Sequence, residues 1–315
     1  MMNKLALSAW IKKRGHELGF SRVGIARVEA LTEQGKRLQE WLNRGYHGDM
    51  DYMANHFEKR TDPSLLVEGS RSVIVVAYNY FPRETPPSDS YKISRYAFGK
   101  DYHWIMKEKL RELLSDLDHH YGPVQGRVFV DSAPVMEREW AKRAGIGWTG
   151  KNTLLIHPRQ GSYFFLGEII VDMELAYDSP IHDYCGTCRR CIDACPTNAI
   201  DEEGYLLNGS ECISYATIEK KGPVPDHFEG KMEGWIFGCD ICQEVCPWNR
   251  FSSPHEELAF EPHPELLNLT KEDWKALSPE EFGELFRKSP VKRTKFEGLK
   301  RNIAFVAKTS SNSGE

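Results

Sequence analysis

Apolar residues recur at helical spacing over residues 3–18 and stop at Gly19, RVGIA (22–26) reads as a short strand, and residues 33–44 return to a helical pattern ending at Gly45. RSVIVVAYNYF (71–81) breaks that rhythm with a continuous, β-branched apolar run, which predicts a strand covered on both faces. The turn-rich PRETPPSDS (82–90) must be a loop. Beyond it the pattern predicts a helix over about 102–119, a strand at GRVFVD (126–131), a helix over about 134–144 and strands near 153–157 and 162–173. Alternating helices and strands of this kind predict an α/β layered domain over residues 1–176. The periodicity ends between Tyr177 and Asp183, and residues 177–255 read as a loop-rich segment with short helices. Residues 256–315 begin Pro- and acid-rich, turn helical over 271–288 and 292–308, and end in the polar tail SSNSGE.

At 315 residues the chain can bury a substantial core in one or two domains, so its stability does not require disulfides. No apolar run approaches the roughly 18 residues of a membrane span, and Lys12, Lys13 and Arg14 interrupt the first helix. The expectation is a soluble, cytoplasmic, monomeric protein without a signal peptide. A net charge of -5 argues against bulk, non-specific nucleic-acid binding. One segment departs from that balance. Arg287, Lys288, Lys292, Arg293, Lys295, Lys300, Arg301 and Lys308 stand against the single acid Glu297. Such a run is either a solvated helix face or an RNA-facing patch, and charge does not choose between them.

The cysteines change the picture most. All eight lie between positions 185 and 246: Cys185-x2-Cys188-x2-Cys191-x3-Cys195-Pro196, then Cys212 alone, then Cys239-x2-Cys242-x3-Cys246-Pro247. A local cluster in a chain of cytosolic character points to metal or redox chemistry. The first run has the spacing of bacterial ferredoxins, in which the fourth cysteine ligates the other of two clusters. Applied by symmetry, Cys185, Cys188 and Cys191 hold one [4Fe-4S] cluster with Cys246, while Cys212, Cys239 and Cys242 hold a second with Cys195. The second triplet is irregular, because Cys212 must return from far upstream. The competing reading is zinc, since paired C-x2-C motifs also build tetrahedral sites. Three cysteines at successive x2 spacing followed by Cys-Pro favour the clusters.

Weaker signals lie in the first domain. Gly145-Ile-Gly147-Trp-Thr-Gly150 spells a dinucleotide fingerprint but follows a helix and precedes a strand, the reverse of what that motif needs. The glycines instead close the helix and permit close backbone approach. Asp131 ends a strand, where ligands of layered α/β domains tend to sit, or else simply caps the helix after it. Met136 and Trp140 read as core, and His103 as a surface or internally satisfied histidine.

Together, ISRYAFGKDYH (93–103), DSAPVMEREWAKRAGIGWTGKNTLLI (131–156), GSYFFLGEI (161–169), the double cysteine array and KRNIAFVAK (300–308) resemble the epoxyqueuosine reductases. The resemblance implies an oxidoreductase of queuosine biosynthesis, with a cobalamin-binding α/β domain, a ferredoxin-like domain holding two [4Fe-4S] clusters and a helical C-terminal segment. Longer members add HEAT-like repeats beyond the point where this chain stops. The implied reaction reduces epoxyqueuosine to queuosine at the wobble position of tRNA, with electrons from an unidentified donor passing through the clusters to cobalt. Asp131 matches the family's general acid and Tyr102 a supporting group. A carboxylic acid donates near neutral pH only if its pKa is raised, so Asp131 is expected in a partly desolvated pocket. Cobalamin contacts carry over to Arg60, Ser94, Asp131, Arg138, Leu155, Leu166, Ser214, Cys239 and Asp240, which places the corrin between domains. A D-x-H-x-x-G pattern is absent, Asp101-Tyr102-His103 matching only its first half, so no histidine ligand to cobalt is expected. The rivals are a reductive-dehalogenase-like enzyme, a ferredoxin-like electron carrier and a zinc-dependent nucleic-acid-binding module.

Overall fold

The computed structural model describes residues 3–311, with side chains as far as Lys308, so the tail from Asn312 onward lies outside the described residues. In chain order the strands are β1 (Arg22–Arg27), β2 (Ser72–Asn79), β3 (Lys92–Ile93), β4 (Gly126–Phe129), β5 (Trp148–Thr149), β6 (Leu155–Ile156), β7 (Phe164–Val171) and β8 (Trp235–Phe237). The helices are α1 (Lys4–Glu17), α2 (Thr32–Asn43), α3 (Phe57–Thr61), α4 (Tyr102–Tyr121), α5 (Glu137–Arg143), α6 (Arg190–Asp193), α7 (Ile213–Ile218), α8 (Ile241–Glu244), α9 (Lys271–Ala276), α10 (Pro279–Leu285) and α11 (Lys295–Ser311). None of the described helices is long and apolar enough to cross a membrane.

The apolar run of β2 decides the layering. Its side chains alternate between two cores: Ile74 and Val76 pack with Leu7 and Ile11 of α1 and with Met106, Leu110, Leu113 and Leu117 of α4. Val73, Val75 and Ala77 pack on the other face with Trp140, Ala141 and Ala144 of the α5 region. Each such side chain contributes about 1.5–3 kcal/mol on burial, and that clamps the sheet between helices. The order β1-β2-β7-β4 is antiparallel throughout, so this is a sheet covered on both faces without parallel crossovers.

A third core joins segments distant in sequence. Tyr91, Ile93 and Phe98 pack with Ile213, Trp235 and Phe237, and Trp274, Phe282, Phe286, Leu299 and Ile303 close over them. Its spine is the parallel pairing of β3 with β8, too short to leave a periodic signal. The helix expected over 271–288 is two helices, because Ser278 caps α10 with a capping box and Pro279 occupies its first position. The helix expected over 292–308 begins only at Lys295, after a 3-10 turn opened by Pro290.

Candidate active site

Asp131 lies just past the end of β4 in the left-handed region, with φ 52°, so its carboxyl turns away from the sheet. Asp101 caps α4 by accepting from the His103 amide at 3.0 Å and binds His103 Nδ1 at 2.6 Å. That fixes the ring so that Nε2 faces Asp131 Oδ2 at 3.0 Å. Tyr102 stacks on Phe165, with ring centroids 3.9 Å apart and planes 5° from parallel, and its hydroxyl donates toward Asp131. The Asp131 side chain is half open to water yet ringed by protein, as the floor of a recess is.

The protonation states depart from the expectation. Burial pushes the Asp131 carboxyl up, but the hydrogen bond and charge of His103, the charge of Arg293 and the Tyr102 hydroxyl outweigh it and hold Asp131 below the ordinary aspartate range. Burial lowers His103, and the bonds and charges of Asp101 and Asp131 overcome it, raising the imidazole to about 9. The proton of this pair therefore rests on His103 at neutral pH. A raised Asp131, expected from the chemistry of a general acid, is not what the structure holds, because an imidazolium sits against it. His103, which looked ordinary in sequence, is the partner that decides this.

Behind Asp131, its amide donates to Glu137 Oε1 at 2.5 Å. Burial raises Glu137 to about 8, with the Asp131 charge adding to it. Glu168 of β7 is wholly buried behind Glu137. Arg138 donates to the Thr153 carbonyl at 2.7 Å. Thr153 has φ 64°, strain that a β-branched residue tolerates only where its surroundings hold it. Leu155 and Leu166 both pack with the core under α5, Leu155 fully buried and Leu166 partly.

The opposite wall comes from the third core. A Cβ at Gly238 would stand 2.2 Å from Ser94 Oγ, so only glycine lets β8 pass so close to the end of β3. The Arg95 amide donates to Asp240 Oδ2 at 2.8 Å, which draws Ser94, Cys239 and Asp240 together. Tyr96 bridges the walls, packing against Tyr102 and Phe237 and feeling the charges of both Asp131 and Asp240. Ser214 lies in the first turn of α7, whose Thr217 hydroxyl accepts from the Gly238 amide. Arg60 on α3 donates to the Tyr52 carbonyl, while its buried Nε has no partner among the described residues. Tyr52 in turn accepts a hydrogen bond from Arg293, a member of the basic run whose charge bears on Asp131. Arg301 is structural, donating to the carbonyls of Ala216, Lys220 and Gly222.

None of the eight cysteines is in a disulfide. Cys185, Cys188, Cys191 and Cys246 line one small cavity with Lys151, Asn152, Ile156, Pro247 and Trp248. Burial raises the Cys191 thiol to about 11, with Cys246 and Cys185 adding to it, whereas Cys239 is raised by burial and by Cys212 and Cys195. Among the described residues no three His, Cys, Asp or Glu side chains converge on one point as a single-ion site demands. Trp148 Nε1–H points at Cys185 Sγ, 3.4 Å away. Gly147 and Gly150 flank β5, and a Cβ on either would clash with Ile156. Those glycines serve close backbone approach.

Residues 184–249, which include every cysteine, match the family described as "4Fe-4S double cluster binding domain". Residues 60–132, ending one residue past Asp131, match "Epoxyqueuosine reductase QueG, DUF1730". Over 304 residues the chain is 54% identical to the epoxyqueuosine reductase of Cyclobacterium marinum, covering 96% of this chain and 97% of that one. The chain belongs to the epoxyqueuosine reductase family. A crystal structure of an epoxyqueuosine reductase with an epoxyqueuosine-modified tRNA-Tyr stem loop superposes with a TM-score of 0.89 at 31% identity, covering 98% of this chain and 84% of that one. The Bacillus subtilis epoxyqueuosine reductase superposes with a TM-score of 0.88 at 30% identity, covering 96% and 82%, and is described with its catalytic aspartate loop swung out of the active site. The double-cluster match to Cys185–Cys246 answers the zinc reading of the same cysteines.

Proposed function

We propose that this chain reduces epoxyqueuosine to queuosine at the wobble position of tRNA. The observation that carries the reading is the Asp131–His103 pair, one proton between two groups at the floor of a recess whose far wall is built from the double-cluster segment. The reaction takes up two electrons and two protons, converts the epoxide to the ring alkene and releases water. Opening the epoxide leaves charge on oxygen, and an acid at that oxygen lowers the barrier. Asp131 presents its carboxyl to the recess and His103 supplies the proton to it, with Tyr102 as a further donor held rigid by its stack on Phe165.

The crossed cysteine sets suit two [4Fe-4S] clusters, with Cys185, Cys188, Cys191 and Cys246 around one and Cys195, Cys212, Cys239 and Cys242 around the other. Cobalamin suits the recess in donor chemistry: the partnerless buried Nε of Arg60, the Arg138 guanidinium and Ser94 fit a ligand rich in amide and phosphate acceptors. Arg60, Ser94, Asp131, Arg138, Leu155, Leu166, Ser214, Cys239 and Asp240 would border it. Bound there, it would supply low-potential two-electron chemistry. The experiment is anaerobic incubation of the reconstituted protein with tRNA carrying epoxyqueuosine and a chemical reductant, followed by nucleoside mass analysis. Queuosine forms if the reading is right; unchanged epoxyqueuosine with iron and cobalt both present would overturn it.

A further inference from the structure

Glu168 occupies the centre of β7, opposite Val75 of β2 and Phe129 of β4, on the sheet face it shares with Leu166 and Ile170. Its exposure is zero, and neither carboxyl oxygen has a hydrogen-bond donor among the described residues. An ionised carboxylate so placed is strongly disfavoured. The group within hydrogen-bonding reach is the Glu137 side chain. Two carboxylates cannot bond each other, whereas a carboxylic acid and a carboxylate bond strongly. Glu137 already accepts the Asp131 amide through Oε1, and that bond offsets the left-handed backbone at Asp131.

We propose that Glu137 and Glu168 share one proton, and that this acid–carboxylate pair is the latch that holds the Asp131 loop in its inward position. The proposal rests on reading Asp131 as the reaction's acid and adds two positioning residues that do not touch the substrate. The charged groups facing the pair are Asp131 on its loop, Arg138 beside Glu137 on α5 and His103 on α4. Removing the shared proton sets a second negative charge against Glu137, and among the described residues Glu168 has no hydrogen-bond donor to take that charge up. Glu137 then turns from Glu168, and the Asp131 amide loses its acceptor. The loop that swings outward in the Bacillus subtilis relative is the kind of motion this release permits.

The test is amide hydrogen exchange of the Asp131–Ala133 segment in the full-length protein, corrected for intrinsic rates, below and above pH 8. In the native protein, protection should fall about tenfold per unit of pH once the shared proton is lost. Glu168→Gln offers a permanent N–H donor to Glu137, so its protection should be high and independent of pH. Glu168→Leu should leave the segment unprotected on both sides. An infrared carbonyl band of an un-ionised carboxylic acid should be present in the native protein at neutral pH and absent from Glu168→Gln. No such band, or a Glu168→Gln protein that keeps the native pH dependence, overturns the proposal even if Glu168→Leu fails to fold. Both readouts need neither substrate nor turnover, so this outcome is separate from that of the proposed reaction.

Discussion

Asp131 was legible in the sequence because an acid ends an apolar strand just before a helical segment, a place where a side chain is presented rather than buried. His103 was not. It lies on another element, and only the cap at Asp101 aims its ring across 28 residues of chain. Asp131→Asn should lower turnover by about 100- to 10,000-fold in a single-turnover assay, with iron content and tRNA affinity unchanged. For His103 the sign follows from its raised pKa: the charged pair is complete below the ordinary imidazole range and is lost as pH rises through about 9. The native rate should therefore fall on the alkaline side near pH 9, and His103→Gln should abolish that limb in a pH–rate profile while lowering the plateau. A native rate that is flat through that range would remove His103 from the proton supply. Glu168 did leave a signal, a lone acid inside the apolar FFLGEIIV, but a single sequence does not say whether such an acid is buried or faces a solvated edge.

Among the elements, α4, β2 and β7 were the most readable, because α4 buries Met106, Leu110, Leu113 and Leu117 along one stripe and the continuous apolar runs of β2 and β7 are covered on both faces. The tract 271–308 was harder to divide. Its apolar spacing is continuous, and the breaks come from single residues, Pro279 and Pro290, that set local caps. The basic run inside it resolves into different roles. Arg301 and Lys300 tie α11 to backbone carbonyls, Arg293 reaches an ion pair with Glu219 beside the recess, and Lys288 and Lys295 sit at turns with positive φ. The structural anchor of α11 is Asn302, fully buried, whose amide donates to the carbonyls of Thr217 and Ile236 at 2.8 Å each. Asn302→Ala strands both acceptors and should cost about 2–4 kcal/mol in a denaturation experiment. An unchanged midpoint would mean that water replaces both bonds.

Over the whole molecule, the three cores show how the parts depend on one another. The segment 91–98 lies between elements of the first sheet in sequence but packs with the double-cluster region and the C-terminal helices. The recess forms because that segment returns to the sheet at α4, carrying Tyr96, Tyr102 and His103 between the two bodies. The same dependence appears in the cysteines. Cys195→Ser should remove the cluster of Cys212, Cys239 and Cys242 and leave the one that its own run surrounds, halving iron from about eight per chain to about four. Paired spectra of Cys195→Ser and Cys246→Ser, each losing the cluster on the other side of the chain, would establish the crossing. Loss from Cys195→Ser of the cluster that Cys185, Cys188 and Cys191 surround, with the other cluster kept, would refute the assignment.

Cysteine count and spacing are covalent facts, so the sequence alone pointed to the double-cluster segment that the family match bears out. It also determined the layered character of the first domain, because β2 needs apolar cover on both faces whatever surrounds it. The proton inventory was decided only by the tertiary structure. Whether Asp131 is neutral or ionised depends on a histidine from α4, and whether Glu168 carries charge depends on the depth of β7 and on Glu137. Charge states depend on distances and burial between groups remote in sequence, which residue pattern does not encode.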